Sequence, residues 1–310
     1  MAKKLKLSSN VSLPINSGNV AHPEFIPKNV PFQDNRKLLE KCAILIEKQI
    51  PILMIGETGT GKTSVVRYLA HKTNNGFVRV NHNGGTTIED LVGRWLINAN
   101  GQTEWVDGVL IQAMKNGYWY LADEINAAGA EINFVYHSLL DDDGRVVLAE
   151  KGNEVVIPHE NFRFFGAMNP PGEYAGAKEL NKALLSRFAV IKVEYPTPVV
   201  ETAILEKRTG IDKESAEQMV KFAAKIRAGH ASEQYRCIIS TRDLIMWASL
   251  YKSYGKFILA AESSILNKVN DEDFEAIKDV LSLSFKAVDD GTVQFAEEQT
   301  PPEPIPTSAF

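Results

Sequence analysis

Eight consecutive residues, Gly56-Glu57-Thr58-Gly59-Thr60-Gly61-Lys62-Thr63, leave this chain very few folds. They match G-x-x-x-x-G-K-[ST], a pattern that needs a buried strand before it and a helix after it. Both are present. Ile52-Leu53-Met54-Ile55 is a short apolar run that stops at Gly56, and residues 63–72 read as helical. Such a loop turns successive backbone N–H groups inward, and the helix start adds a positive dipole end. It suits a polyphosphate: Lys62 can reach the β- and γ-phosphates, and the Thr63 hydroxyl can hold Mg²⁺.

The rest of the first two thirds supplies the sheet that such a loop requires. Apolar runs recur at residues 77–80, 118–122, 162–167 and 190–193, and helical stretches lie between them near 108–115 and 128–140. Strands alternating with helices predict an α/β fold, a parallel sheet with helices on both faces. Residues 145–157 break the pattern, with two short β runs around Gly152-Asn153 that read as a hairpin. After Tyr195-Pro196 the strands stop, and helical stretches at 201–208, 213–228, 241–254 and 257–285, the last open to an interruption, predict a small all-helical domain. The expected organisation is an N-terminal arm over 1–29, a nucleotide-binding domain over 30–195 and a helical domain over 196–286. An acidic, Pro-rich tail without regular structure is expected over 287–310.

Two further strand ends carry chemistry. Tyr118-Trp119-Tyr120-Leu121-Ala122 delivers Asp123 and Glu124 to the sheet edge at which the phosphate loop also emerges. Asp123 would support Mg²⁺, through water, because Mg²⁺ keeps much of its hydration shell. Glu124 would polarise an attacking water. An acidic pair after a strand also serves as a plain helix cap; the loop upstream is what favours the chemical role. Gly166-Ala167-Met168-Asn169-Pro170 brings an amide, Asn169, to the same edge, where it could bond the water or the γ-phosphate. Asn-Pro is equally a turn dipeptide.

Composition removes several other classes. A net charge of −5 argues against general nucleic-acid binding, although a local basic ring stays open. Two distant cysteines, Cys42 and Cys237, provide neither metal-ligand spacing nor a disulfide framework and fit a reducing cytoplasm. The basic start is followed by polar Ser8-Ser9-Asn10, unlike a signal peptide, and no apolar run is long enough for a transmembrane helix.

With P-loop, Asp-Glu, strand-end Asn and helical domain in that order, residues 30–285 resemble AAA+ ATPases. Asp123-Glu124-Ile125-Asn126 and Gly166-Ala167-Met168-Asn169-Pro170 look like the MoxR/CbbQ/NorQ type, the helix-2-insert group with midasin- and McrB-like relatives. That resemblance implies an ATPase (ATP and water to ADP and phosphate) using Mg²⁺, with the helical domain as a lid. It implies a homo-oligomeric, hexameric ring acting as a chaperone on a partner protein, such as a metalloenzyme or a von Willebrand factor A-domain protein. It places an insert at about 93–108, with Trp95 and Trp105, and a hairpin at about 145–157, with insert loops facing the pore and touching the partner. Paired tryptophans also cover one another across a short hairpin, and both readings stay open.

The same resemblance gives two arginines a role. Ala183-Leu184-Leu185-Ser186-Arg187-Phe188 is similar to the segment supplying an arginine finger, and Ser240-Thr241-Arg242 to the sensor at the start of a lid helix. Guanidinium is always charged and forks onto phosphate oxygens. A polar residue ending the second strand, Asn81 or Asn83, is a further candidate for coupling partner contact to Glu124. The rival class is an NTP-driven nucleic-acid motor or restriction-type NTPase subunit. Basic pore residues would mark it, and 96–107 contains no Lys or Arg.

Overall fold

The computed structural model describes residues 3–18, 20, 22–28, 30, 32, 36–170, 179–287 and 293–295. The chain divides into two compact units, Met1–Pro196 and Thr197–Phe310. The first runs β1 (Lys4–Lys6), β2 (Ser12–Pro14), α1 (Arg36–Glu47), β3 (Ile52–Ile55), α2 (Lys62–Lys72), β4 (Phe77–Asn81) and α3 (Ile88–Leu91). It continues through β5 (Gly93–Ile97), β6 (Thr103–Asp107), α4 (Val109–Asn116), β7 (Trp119–Asp123), α5 (Ala130–Leu139) and β8 (Val146–Leu148). It closes with β9 (Glu154–Val156), β10 (Arg163–Met168), α6 (Lys182–Leu185) and β11 (Ala189–Lys192).

Five of these strands form one parallel sheet in the order β11-β3-β10-β7-β4. Parallel strands are buried on both faces, which is why they read as continuous apolar runs. Side chains alternate strictly between two cores. Leu53, Tyr120, Ala122, Phe164 and Met168 pack with Leu110, Ile111, Met114 and Tyr136 of α4 and α5. Ile52, Met54, Trp119, Leu121, Phe165 and Ala167 pack with Leu38, Leu39, Val65 and Leu69 of α1 and α2. The register sets Met168 beside Ile55, and Asp123 beside both Ala167 and Asn81. Three central strand ends therefore meet at one edge.

Two hairpins branch from this frame. β5 pairs with β6, placing Trp95 directly opposite Trp105 with the rings T-shaped at 5.6 Å. β8 pairs with β9 around Gly152 and Asn153, both at positive φ, the left-handed geometry that the Gly-Asn pair supports. The arm expected over 1–29 is not a loose lead-in throughout. β1 and β2 pair antiparallel, and Leu7 and Leu13 are buried in the α1/α2 core. Three-residue strands carry too little periodicity to be read ahead of the structure.

The second unit holds α7 (Pro198–Thr209), α8 (Lys213–Ala231), α9 (Thr241–Tyr254), α10 (Phe257–Ser264) and α11 (Asp271–Ser284). The helical stretch expected over 257–285, open to an interruption, is two helices, because Asn270 caps a new start by accepting from the Asp273 N–H. Trp247 fills the centre, edge-on to Phe222 at 5.5 Å and to Phe257 at 4.6 Å. The regular structure extends slightly into the expected tail: β12 (Phe285–Ala287) pairs with β13 (Val293–Phe295), and the remainder of 287–310 lies outside the described residues.

A buried ion pair ties this unit together. Arg227 grips Glu201 with two N–H groups at 2.8 and 2.9 Å, and donates Nε–H to the Ile239 carbonyl. Thr241, first residue of α9, donates its hydroxyl to the same carboxylate. Removing one partner of such a pair strands the other, a cost of about 3–5 kcal/mol. Arg227→Ala should therefore destabilise the helical unit by about 3 kcal/mol in urea unfolding followed by far-UV circular dichroism. A loss below about 1 kcal/mol would mean that water replaces the pair.

Candidate nucleotide site

The loop between β3 and α2 is shaped by its glycines. A Cβ on Gly56 would lie 2.1 Å from the Val193 carbonyl oxygen, so only glycine fits there. Gly61, at φ 96°, occupies left-handed backbone immediately before the helix starts at Lys62. Within the loop the Thr60 hydroxyl donates to Glu57 O at 2.8 Å, and Tyr195 donates to Thr58 O at 3.0 Å. Gly59 is the other residue of the loop at positive φ, 81°. The loop is thus pinned from within and from the chain that follows β11.

Lys62 is buried, and its ammonium donates to Gly56 O, to Glu57 O at 3.0 Å and to Asn169 Oδ1 at 2.9 Å. The other end of that amide, Asn169 Nδ2, donates to Glu124 at 3.1 and 3.4 Å from its two oxygens. One side chain thus joins the loop lysine to the acidic pair. The Thr63 hydroxyl donates to Asp123 Oδ2 at 3.1 Å. Lys62, Thr63, Asp123, Glu124 and Asn169, read separately from three motifs, converge at the carboxyl ends of β3, β7 and β10.

Glu124 sits at φ 53°, ψ 42°, left-handed backbone that is costly for a residue with a side chain. That kink ends β7 and turns the carboxylate toward Asn169. Burial, followed by the neighbouring charge of Asp123, raises its pKa above the ordinary glutamate value. Both act on the charged form and make Glu124 a stronger base. Oxygen donors at Thr63 and Asp123 suit Mg²⁺, which prefers hard oxygen and completes its shell from phosphates and water. The described residues contain no cluster of three or more His, Cys, Asp or Glu able to hold a metal.

Two of the expected residues are carried by other elements. Arg187 follows α6 and donates Nη1–H to Ala183 O at 2.6 Å, with Nη2 3.3 Å from Asp141; its Nε has no partner among the described residues. Arg242 is exposed in the first turn of α9, in the second unit. Two groups near the site had no sequence motif. Arg79 donates Nε–H to Asp123 Oδ2 at 2.6 Å. His82 is buried beside the end of β7, its N–H donating to Asp123 O, and its ring is hydrogen-bonded to Tyr136, which is bonded to Tyr120 at 2.8 Å. Only the pairing of β4 with β7 and the packing of α5 bring these together, so alternation within each segment does not reveal them.

Burial lowers the His82 pKa to about 4, more than the Asp123 charge raises it. Between pH 6.5 and 4 the unfolded chain binds this proton and the folded chain does not, so stability is full above 6.5 and declines as pH falls. The loss from this residue reaches about 3 kcal/mol at pH 4 as an upper bound. His82→Gln should flatten the fall of melting temperature with pH in that window, measured without metal or nucleotide. An unchanged slope would assign the acid sensitivity to other groups.

The sheet order, the phosphate loop on its first core strand and the acidic pair on β7 define the class: a P-loop ATPase fold of the AAA type. Residues 51–188 match the AAA domain of the dynein-related subfamily, and residues 201–284 match the CbbQ/NirQ/NorQ C-terminal family. The chain is 32% identical over 236 residues to Protein CbbQ of Hydrogenophilus thermoluteolus, covering 76% of this chain and 86% of that one. It is 32% identical over 206 residues to Denitrification regulatory protein NirQ of Stutzerimonas stutzeri, covering 66% and 73%. Midasin of Dictyostelium discoideum is 31% identical over 251 residues; these are 78% of this chain but only 4% of midasin's length. The chain belongs to the CbbQ/NirQ/NorQ family of AAA proteins.

Proposed function

We propose that this protein hydrolyses ATP with Mg²⁺ as a homo-oligomeric, hexameric ring and uses the cycle to remodel or activate a partner protein, as a MoxR-like chaperone. The observation that carries this reading is the Asn169 amide, which spans from Lys62 to Glu124. It links the group that would hold the γ-phosphate to the group that would take a proton from water. In this reading residues 56–63 cradle the phosphates with backbone N–H groups, and Lys62 exchanges its carbonyl partners for phosphate oxygens. Glu124 accepts the proton of the attacking water, and Asn169 orients that water. Thr63 and Asp123 would hold Mg²⁺, which would supply neutralisation of the phosphate charge. Arg187 of a neighbouring subunit would complete the site, and Arg242 would sense the nucleotide from the lid. The expected organisation remains an AAA+ domain over 30–195 and a lid over 196–286.

The partner side of the proposal rests on exposed apolar surface. The insert, α5 and the β8–β9 hairpin line a groove of about 550 Å³. Phe134 on its wall is 71% exposed, and Ile97 near the insert tip is 77% exposed. Such clustered apolar exposure marks interaction surfaces. Trp95 of the insert donates its indole N–H to Glu150 O, and Lys151 lies 3.8 Å from Asp107 at the end of β6, so the two hairpins are joined side by side. The family resemblance makes the partner a metalloenzyme or a von Willebrand factor A-domain protein; one relative is named a denitrification regulatory protein. No helix among the described residues is long and apolar enough to cross a membrane, and the free thiols Cys42 and Cys237 suit the cytoplasm. Phosphate release from Mg·ATP by the purified chain, alone and with a candidate partner, tests the reading. ATP binding without any release above the blank, with or without partner, would reject hydrolysis.

A further inference from the structure

One oxygen of Asp123 serves two donors. Oδ2 accepts from the Thr63 hydroxyl at 3.1 Å and from Arg79 Nε at 2.6 Å. The carboxylate is deeply buried, its side chain 6% exposed, whereas Arg79 is 48% exposed. Arg79 lies on β4, the edge strand, two residues before Asn81, which pairs with Asp123. A buried carboxylate needs a counter-charge, and guanidinium cannot shed its proton to stop supplying one. Yet Thr63 and Asp123 are the oxygens that would attend Mg²⁺. A guanidinium at 2.6 Å from the shared oxygen already occupies part of that place with charge of the same sign.

We propose that Arg79 is a positioning residue that stands in for the divalent cation in the nucleotide-free protein. It holds and neutralises Asp123 until ATP brings the metal with it. This rests on the nucleotide reading above. Three features support the exchange. Arg79 has a long, flexible stem on an exposed edge strand, so its head can leave without disturbing the core. Its head is half in water, so leaving Asp123 exposes little new surface of its own. An arriving triphosphate carries enough negative charge to compensate both cations, whereas bare Mg²⁺ would meet a carboxylate already paired. The consequence is order of assembly: metal enters with nucleotide and is held poorly without it.

Binding of Mn²⁺, as a paramagnetic replacement for Mg²⁺, is measured by electron paramagnetic resonance on the full chain. Wild type, Arg79→Gln and Arg79→Lys are each titrated without nucleotide and with the slowly hydrolysed analogue ATPγS. Arg79→Gln should bind Mn²⁺ without nucleotide about tenfold more tightly than wild type, the scale of one partly screened charge a few ångströms away. Arg79→Lys, which keeps the charge, should follow wild type. Equal nucleotide-free affinity in wild type and Arg79→Gln overturns the proposal, as does tightening in Arg79→Lys equal to that in Arg79→Gln. If Arg79→Gln does not fold, wild type decides: Mn²⁺ held as tightly without ATPγS as with it also overturns the proposal. Failure of the wild type to bind ATPγS at all would strike the nucleotide reading instead, and the nucleotide-free titrations would still judge Arg79.

Discussion

Glu124→Gln should bind ATP as the wild type does and turn it over about 10²–10⁴-fold more slowly, the usual contribution of a positioned base. The substitution keeps shape and one carbonyl oxygen, so Asn169 Nδ2 retains an acceptor at a site where it now meets both carboxylate oxygens. What is lost is proton affinity. Burial and the adjacent Asp123 charge raise it in this residue, and an amide has none to offer. Lys62→Ala should differ in kind. Lys62 bonds two loop carbonyls and Asn169, so its removal takes away the phosphate's cation and the tie holding Asn169. Binding and turnover should fail together. Nucleotide affinity by fluorescence and turnover by phosphate release, compared in both variants, separate these roles. Wild-type turnover in Glu124→Gln would remove Glu124 as the base.

Arg187→Ala should also bind ATP nearly normally, yet hydrolyse it about 10³–10⁵-fold more slowly, the measured range for arginine fingers in related phosphoryl transfer. Its guanidinium rests on Ala183 O and on Asp141, which is 60% exposed. An exposed pair of that kind contributes about 1 kcal/mol or less, so phosphate oxygens would displace it readily. The Arg187 Nε is buried and has no hydrogen-bond partner among the described residues.

Much of this architecture was legible in the sequence, for a physical reason. Buried parallel strands must be apolar on both faces, so Ile52–Ile55, Trp119–Asp123 and Arg163–Met168 stand out as runs, and each ends abruptly where chemistry begins. The phosphate loop announces itself through glycines that its backbone requires. The insert tryptophans face one another, as paired residues across a short hairpin can. What stayed hidden depends on register between distant segments. Arg79 is an ordinary strand residue until β4 lies beside β7. His82, Tyr136 and Tyr120 form a chain only after α5 packs on the sheet. The β1–β2 hairpin stays hidden because a three-residue strand leaves almost no periodic trace, and the lone cap Asn270 shows that the stretch over 257–285 can break without fixing where.

The most direct test mixes two broken subunits. Arg187→Ala keeps its loop and lacks the finger; Lys62→Ala keeps the finger and lacks phosphate binding. Each alone should be nearly inactive. In rings verified to contain both, some intact loops gain a neighbour that still carries Arg187, and phosphate release should return in part, rising and falling with the mixing ratio. Wild-type turnover per subunit should drop on dilution below the assembly concentration. No recovery in verified mixed rings, together with wild-type turnover that does not change with concentration, would contradict a site completed between subunits.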